Sequence, residues 1–261
     1  MDISWQSFAA TPVGVKALVV GAVFILFFTG ERIYSAAPYP EGKARLFRNI
    51  GLWAIVLVAS PLIIAPLTAL GANQLVWTRS DSFYFNVLVL ATDLVLLDLW
   101  VYWLHRAWHR VPFMWRIHKV HHFDEFLDST SAFRFHLGEV AISAGLRLIP
   151  ITLLAVPLGH VLAFETLMLC AVIFHHSNLR IPALLERAIS RVIITPSIHW
   201  VHHHAVMHDT NSNYGAIFSI WDRLFGTKSV TVRTYDMRIG VESVEDKSFL
   251  GLILSPFKRN G

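Results

Sequence analysis

The sequence predicts an all-α integral membrane protein: a helical bundle of about four to five membrane segments with a cytoplasmic, histidine-rich helical cap. Three observations predict it. Of 261 residues, 54% are apolar and only 15% charged, against roughly 25% charged in an ordinary soluble domain. The apolar residues gather in runs long enough to span a bilayer, which takes about 20 residues. All 14 histidines lie between His105 and His208. Such hydrophobicity excludes a disordered chain. The single cysteine, Cys170, excludes an internal disulfide framework and any cysteine-based zinc or iron–sulfur site.

The elements follow in chain order. Val13 to Tyr34 forms the first span, with Lys16 close enough to its end to snorkel. The preceding residues lack the basic region of a secretory signal, so this run reads as a retained helix. Residues 49–78 carry no charge and hold a second span. Pro61 and Pro66 are expected to kink it or break it late. Ser82 to Leu104 is the third, interrupted by Asp93 and Asp98. Glu139 to Leu158 and His160 to Leu179 form a hairpin that dips in and returns, bending at Pro157 and Gly159. Three regions result: membrane helices over 1–104, a histidine-box region over 105–228 that includes the hairpin (about 139–179), and a polar tail over 229–261. Alternation in SVTVRTY gives that tail a short extended piece.

Charge orients these segments. Arg32, Lys43, Arg45 and Arg48 crowd the first loop, whereas the second offers only Arg79. The positive-inside rule puts the first loop in the cytoplasm. The third segment then delivers His105 to the cytoplasmic face, and the hairpin brings His175 and His176 back to it. Only His160, at the hairpin tip, falls elsewhere. The membrane is a bacterial inner membrane or, in a eukaryote, the endoplasmic reticulum. The net charge of +4 fits cytoplasmic loops and anionic headgroups better than nucleic acid, for which no binding motif is present.

The histidines form three clusters: His105 and His109 in HRAWH; His118, His121 and His122 in HKVHH; His199, His202 and His203 in HWVHH. Residues three and four apart share a helix face, so each cluster projects imidazoles from one stripe. Neutral imidazole suits iron, zinc and copper. Eight imidazoles exceed what one metal needs and suit two, each with a position open for oxygen or substrate. His176, His175 and His136 could add ligands. The Glu-x-x-His pattern of soluble di-iron bundles is absent. A haem protein would instead face single histidines across separate spans.

These residues resemble the fatty acid hydroxylase superfamily, which includes sterol desaturases, C4-methyl sterol oxidases, sphingolipid and fatty acid hydroxylases and alkylglycerol monooxygenase. The resemblance rests on DLWVYWLHRAWH, MWRIHKVHHFDE, FHHSNLRIP, and TPSIHWVHH followed by NSNYGAIFSIWDRLFGT. SAFRFHLGE resembles the family's Arg-x-His-Pro-x-Glu stretch, with Leu137 where proline is usual. It covers Asp98 to Thr227. It implies a membrane-bound non-haem diiron oxygenase that uses O2 to hydroxylate or desaturate an unactivated C–H bond of a lipid: a sterol, fatty acyl chain, sphingolipid or relative. The cofactor would be two Fe ions, which Zn can replace on purification. The implied metal ligands are His105, His109, His118, His121, His122, His199, His202 and His203, with His176 next. His175 points about 100° away from His176 on a helix. Asp98, seven residues before His105, is a candidate catalytic residue that orients the ligands. Asn178 and Asn213 are two more, and Asp222 and Asp93 are further orienting candidates. His136 orients other groups, His204 and His208 are outlying ligand candidates, and His160 is structural.

No dinucleotide fingerprint, P-loop or haem-attachment motif appears. Electrons would come from a separate protein of cytochrome b5 or ferredoxin type, docked on a basic surface including Arg110, Arg116, Lys119, Arg187 and Arg191. Anionic headgroups would explain those charges equally. Most of the tryptophans near the boxes fit an interfacial aromatic belt. Two other readings stay open: a carotenoid-type hydroxylase, and a non-enzymatic membrane metal-binding or transport protein.

Overall fold

A computed structural model describes residues 11–73, 76–77, 79 and 86–258. The elements are α1 (Pro12–Ile33), α2 (Ala44–Ala59), α3 (Ala65–Asn73), α4 (Val87–Arg110), α5 (Pro112–His122), α6 (Leu137–Leu153), α7 (Leu158–His176), α8 (Ala183–Ile189), α9 (Pro196–His202) and α10 (Phe249–Leu254). Short helical turns lie at Met207–Thr210 and Ile220–Leu224. Among the described residues there are only isolated β-bridges and no strands, so the chain is all-α.

Among the described residues, four helices are long and apolar enough to cross a membrane: Pro12–Ile33, Ala44–Leu67, Val87–Arg110 and Leu158–His176. The second begins five residues earlier than expected from the uncharged run. Arg45 and Arg48 enter its first turns because each finds a buried carboxylate: Arg45 pairs with Asp124 at 2.7 Å and Asp128 at 2.8 Å, and Arg48 with Asp246 at 2.7 Å. Pro61 and Pro66 do not break this helix. They widen it into a π-turn over Ser60–Ile64, in which the Ala65 amide donates to Ser60. Proline removes an amide and crowds the preceding turn, and the wider turn absorbs both faults. The third span starts at Val87; the expected start at Ser82 lies outside the described residues.

The hairpin forms as α6 and α7, with α6 ending at Leu153, earlier than expected, and Ala155 in the left-handed region at φ 48°. Its apolar faces close on α4 through Leu97, Ile151, Val156, Val161, Phe164 and Ile217. The usual proline of the Arg-x-His-Pro-x-Glu stretch corresponds to the first helical position of α6, after the N-cap His136. Proline favours that position, but Leu137 starts the helix without it.

The tail is not a loose appendage. It carries α10, and Leu252 packs with Leu52, Val120, Phe123 and Val241. SVTVRTY forms no strand.

α4, α5, α7 and α9 bring their histidine-bearing ends to one end of the bundle. At the other end Asp93 takes a bidentate ion pair from Arg79 (2.8 and 2.9 Å) and a bond from His160 Nδ1 at 2.7 Å. A buried carboxylate in an apolar span needs such partners. Asp93→Ala leaves Arg79 uncompensated, and we expect a loss of about 3–5 kcal/mol. Thermal unfolding in detergent measures it; an unchanged midpoint would mean the network contributes nothing.

Candidate metal centre

Nine imidazoles meet in two groups. His105, His109, His118, His122 and His202 form one; His121, His176, His199 and His203 form the other. Within each group the ligand atoms all lie within 4.8 Å of one another. All are buried except His105, which is partly exposed.

Helical spacing sorts them. On α5, His118 and His122 share a face four residues apart and serve the first group. His121, about 100° round the helix, serves the second. The third box reverses the assignment: His199 and His203 serve the second group and His202 the first. The two groups are neighbours, for His122 stacks on His203 with ring centroids 4.2 Å apart.

Backbone carbonyls set the tautomers. His105 Nδ1 meets the Tyr214 carbonyl at 2.8 Å, His202 Nδ1 that of Ser212 at 2.6 Å, His121 Nδ1 that of Arg134 at 3.2 Å, and His176 Nδ1 that of Val172 at 2.8 Å. A carbonyl only accepts, so each of these Nδ1 atoms must carry the proton. In the neutral ring, Nε2 is then a bare lone pair. Yet His121 Nε2 and His176 Nε2, both bared in this way, lie 3.0 Å apart; His199 Nε2, whose tautomer no carbonyl sets, is also 3.0 Å from His176 Nε2. Lone pairs so placed repel unless a cation lies between them. Burial and then the neighbouring imidazoles hold His121, His122, His199 and His203 well below the ordinary histidine value. Burial pushes His202 down to about 3, against its bond to Ser212. A proton is therefore a poor candidate. A metal ion fits: two nitrogens each about 2.0–2.1 Å from one ion sit roughly 3 Å apart. In the first group, His118 Nε2, His202 Nε2 and both nitrogens of His109 and His122 are buried without partners, as ligands aimed at an ion would be. Either group could hold a metal ion.

Behind the first group stands one loop, Ser212–Phe218, which supplies the carbonyls for both His202 and His105. Two buried aspartates hold it. Asp222 accepts from the Tyr214 amide at 2.7 Å and the Gly215 amide at 2.9 Å. Asp98 accepts from the amides of Ile217 and Phe218, both at 3.1 Å, and from Trp221 Nε1 at 2.8 Å. Asp98 therefore bonds no histidine, contrary to the expectation from its spacing; its hydrogen bonds staple the loop. Asn213, at φ 53°, ties the loop to Ile198 and Ser229. Asn178 pairs with the backbone of Ala37, and its amide donates to the buried Glu31. The hydrogen bonds of both asparagines go to other partners than the imidazoles.

The other histidines lie outside both groups. His175 packs against His199 in a tilted pair, ring centroids 4.1 Å apart. His136 caps α6 and meets the Ile253 carbonyl. His204 meets Asp209 at 2.8 Å, and His208 is exposed. Of the tryptophans, Trp115 packs on His109 and His122 and Trp108 on His118, so these two are walls of the site. Lys119 is buried beside Phe123, which removes it from the basic surface; Arg110, Arg116, Arg187 and Arg191 are exposed.

The sequence reading missed the role of Glu139, whose carboxylate meets His118 Nδ1 at 2.8 Å. A carboxylate three residues after an N-cap histidine and opening an apolar helix was the available signal.

The fold and site define a class: a helical membrane protein with paired polyhistidine centres at one end of its bundle. The sequence profile described as fatty acid hydroxylase matches residues 90–227, more than half of the chain. The chain belongs to the fatty acid hydroxylase family. It is 29% identical over 215 residues to an ornithine lipid hydroxylase from Rhizobium tropici, covering 82% of this chain and 63% of that protein. It is 30% identical over 131 residues to an alkylglycerol monooxygenase from Danio rerio (50% of this chain, 28% of the relative). It is 31% identical over 152 residues to methylsterol monooxygenase 1 from Rattus norvegicus (58% and 50%). The chain thus spans less than two thirds of the length of each. No solved structure matches it.

Replacing Glu139 tests the outer carboxylate. Glu139→Ala should weaken metal retention about 10–100-fold in chelator competition. Glu139→Gln should lose less, because its amide oxygen still accepts from His118. Equal retention by both variants and the parent would show that the contact orients nothing.

Proposed function

We propose that this protein is a membrane-bound diiron oxygenase that hydroxylates or desaturates an unactivated C–H bond of a lipid. The observation that carries the proposal is the convergence of bare, buried imidazole nitrogens in two adjoining groups, above all the 3.0 Å approach of His121 and His176. Family membership supports it, as do relatives named for hydroxylation or monooxygenation of lipids and sterols.

His105, His109, His118, His122 and His202 would hold one iron, and His121, His176, His199 and His203 the other. When bound, the irons would supply the reduction of O2 that makes a methylene or methyl group reactive. The remaining work belongs to the chain. The carbonyls of Ser212, Tyr214, Arg134 and Val172 keep the imidazoles neutral and oriented. The rings of Trp108, Trp115 and Tyr214 exclude water from the first group. His105 is the one partly exposed member, so the reacting carbon would approach on its side. Asp98, Asn178 and Asn213 act as positioning residues, through the loop, α1 and α9 respectively. The substrate enters from the bilayer between the apolar helices. Arg110, Arg116, Arg187 and Arg191 would face a separate, acidic electron donor of cytochrome b5 or ferredoxin type, on the cytoplasmic side.

Two measurements test the proposal. Purified protein grown with iron should carry about two metal ions per chain, and His121→Ala and His202→Ala should each lose metal and activity together. Cells expressing the parent protein, but not either variant, should accumulate a lipid heavier by one oxygen or lighter by two hydrogens. Activity persisting in either variant would overturn the ligand assignment. Full metal content with no oxidised lipid would overturn the oxygenase and favour a metal-binding role.

A further inference from the structure

At the end of the bundle away from the two histidine groups, a cavity of about 310 Å³ lies between α1 and α7. Gly159 is 17 residues before His176, the α7 member of the second histidine group. At 1.5 Å per residue, roughly 25 Å separates the cavity from the candidate metal centre, most of a hydrocarbon core. Val15, Leu162 and Ala163 give it an apolar wall. A Cβ at Gly159 would meet nothing within 4 Å, so the space beside it is open. Val15, Leu18 and Val19 beside it are 49%, 48% and 40% exposed, as a lipid-facing surface would be.

Its charge is unbalanced. Lys16 does not snorkel freely; its ammonium meets Glu165 at 2.5 Å, with side-chain exposures of 23% and 11%. Arg147, on α6 and 13% exposed, does not line the groove but stands behind Glu165, and has that same carboxylate as its described counter-charge at 3.6 Å. Two cations thus share one anion in surroundings where an uncompensated charge is costly. Arg147 stands beyond hydrogen-bonding distance and its planar fork suits a phosphate.

We propose that this groove binds one anionic glycerophospholipid, its phosphate neutralising the excess positive charge of Lys16 and Arg147 and its acyl chains lying along α1 and α7. A zwitterionic lipid would bring a second cation toward Lys16 and fit less well. The opening between two spanning helices favours a lipid over a soluble anion.

Native mass spectrometry of the full chain in detergent, with phosphatidylglycerol or phosphatidylcholine added, tests this. One phosphatidylglycerol should be retained in preference to phosphatidylcholine, and only the former should raise the unfolding temperature. Lys16→Gln with Arg147→Gln should weaken retention about tenfold or more. Ala163→Phe should do the same with every charge intact. Glu165→Gln should act in the opposite direction and tighten retention, although it breaks an ion pair; a merely misfolded variant would not. Equal retention of both lipids, undiminished retention by the double variant, or weaker retention by Glu165→Gln would each overturn the proposal. So would displacement of the lipid by inorganic phosphate at equal concentration, which would assign the groove to a soluble anion.

Discussion

A main-chain carbonyl can accept a hydrogen bond but cannot donate one, and the histidine site depends on that asymmetry. Each carbonyl facing an Nδ1 forces the proton onto that nitrogen and strips it from Nε2. Ser212, Tyr214, Arg134 and Val172 thereby turn four buried imidazoles into lone-pair donors pointed inward. Without a cation the inner nitrogens repel one another; with one they become ligands. An ion held there would couple metal to fold through this geometry, because a structural ion contributes its binding free energy to the folded state.

The carbonyls must themselves be held, and much of the buried polar network does that. Asp98 and Asp222 clamp four consecutive or nearly consecutive amides of the loop behind His105 and His202. Gly215 is required there: a Cβ would come within 2.8 Å of the Phe218 carbonyl and 3.0 Å of Asp222. Arg134, whose carbonyl serves His121, is fully buried and bonds the Val120 carbonyl, Asn49 and Asp246. Asn49, on α2, ties the same network to Asp124 just after α5. Polar groups that are costly in an apolar bundle are thus paired, and their pairing reaches the ligands.

The three histidine boxes were legible because helical spacing is local: three, four and one hundred degrees suffice to read a stripe. The spans were legible from composition, and the histidines' gathering at one end from the order of the segments. What could not be read were contacts between distant segments. Asp98 sits two turns from His105, so helical geometry suggested an imidazole partner; its real partners are 119 to 123 residues away. Glu31 looked like part of an apolar span, yet it receives Ser129 and Asn178. The polar tail gave no hint that Asp246 would meet Arg134 and Arg48. Nor does spacing within a box say which of two adjacent centres each imidazole joins.

The choice of ligand has an electrostatic consequence. Nine neutral imidazoles contribute no negative charge, so any cations they hold keep their full charge inside a largely apolar bundle. Counter-charge must then come from one step further out. Glu139 supplies it directly behind His118. Asp222 supplies it behind Tyr214 and so behind His105. Burial alone pushes the Asp222 carboxyl up, though the amides of Tyr214 and Gly215 pull it down; a cationic centre nearby would add to that pull and favour the carboxylate. Metal binding and loop anchoring therefore reinforce each other. An ionised aspartate would hold the amides that set the carbonyls, the carbonyls bare the candidate ligands, and a cation bound there would favour the ionised aspartate.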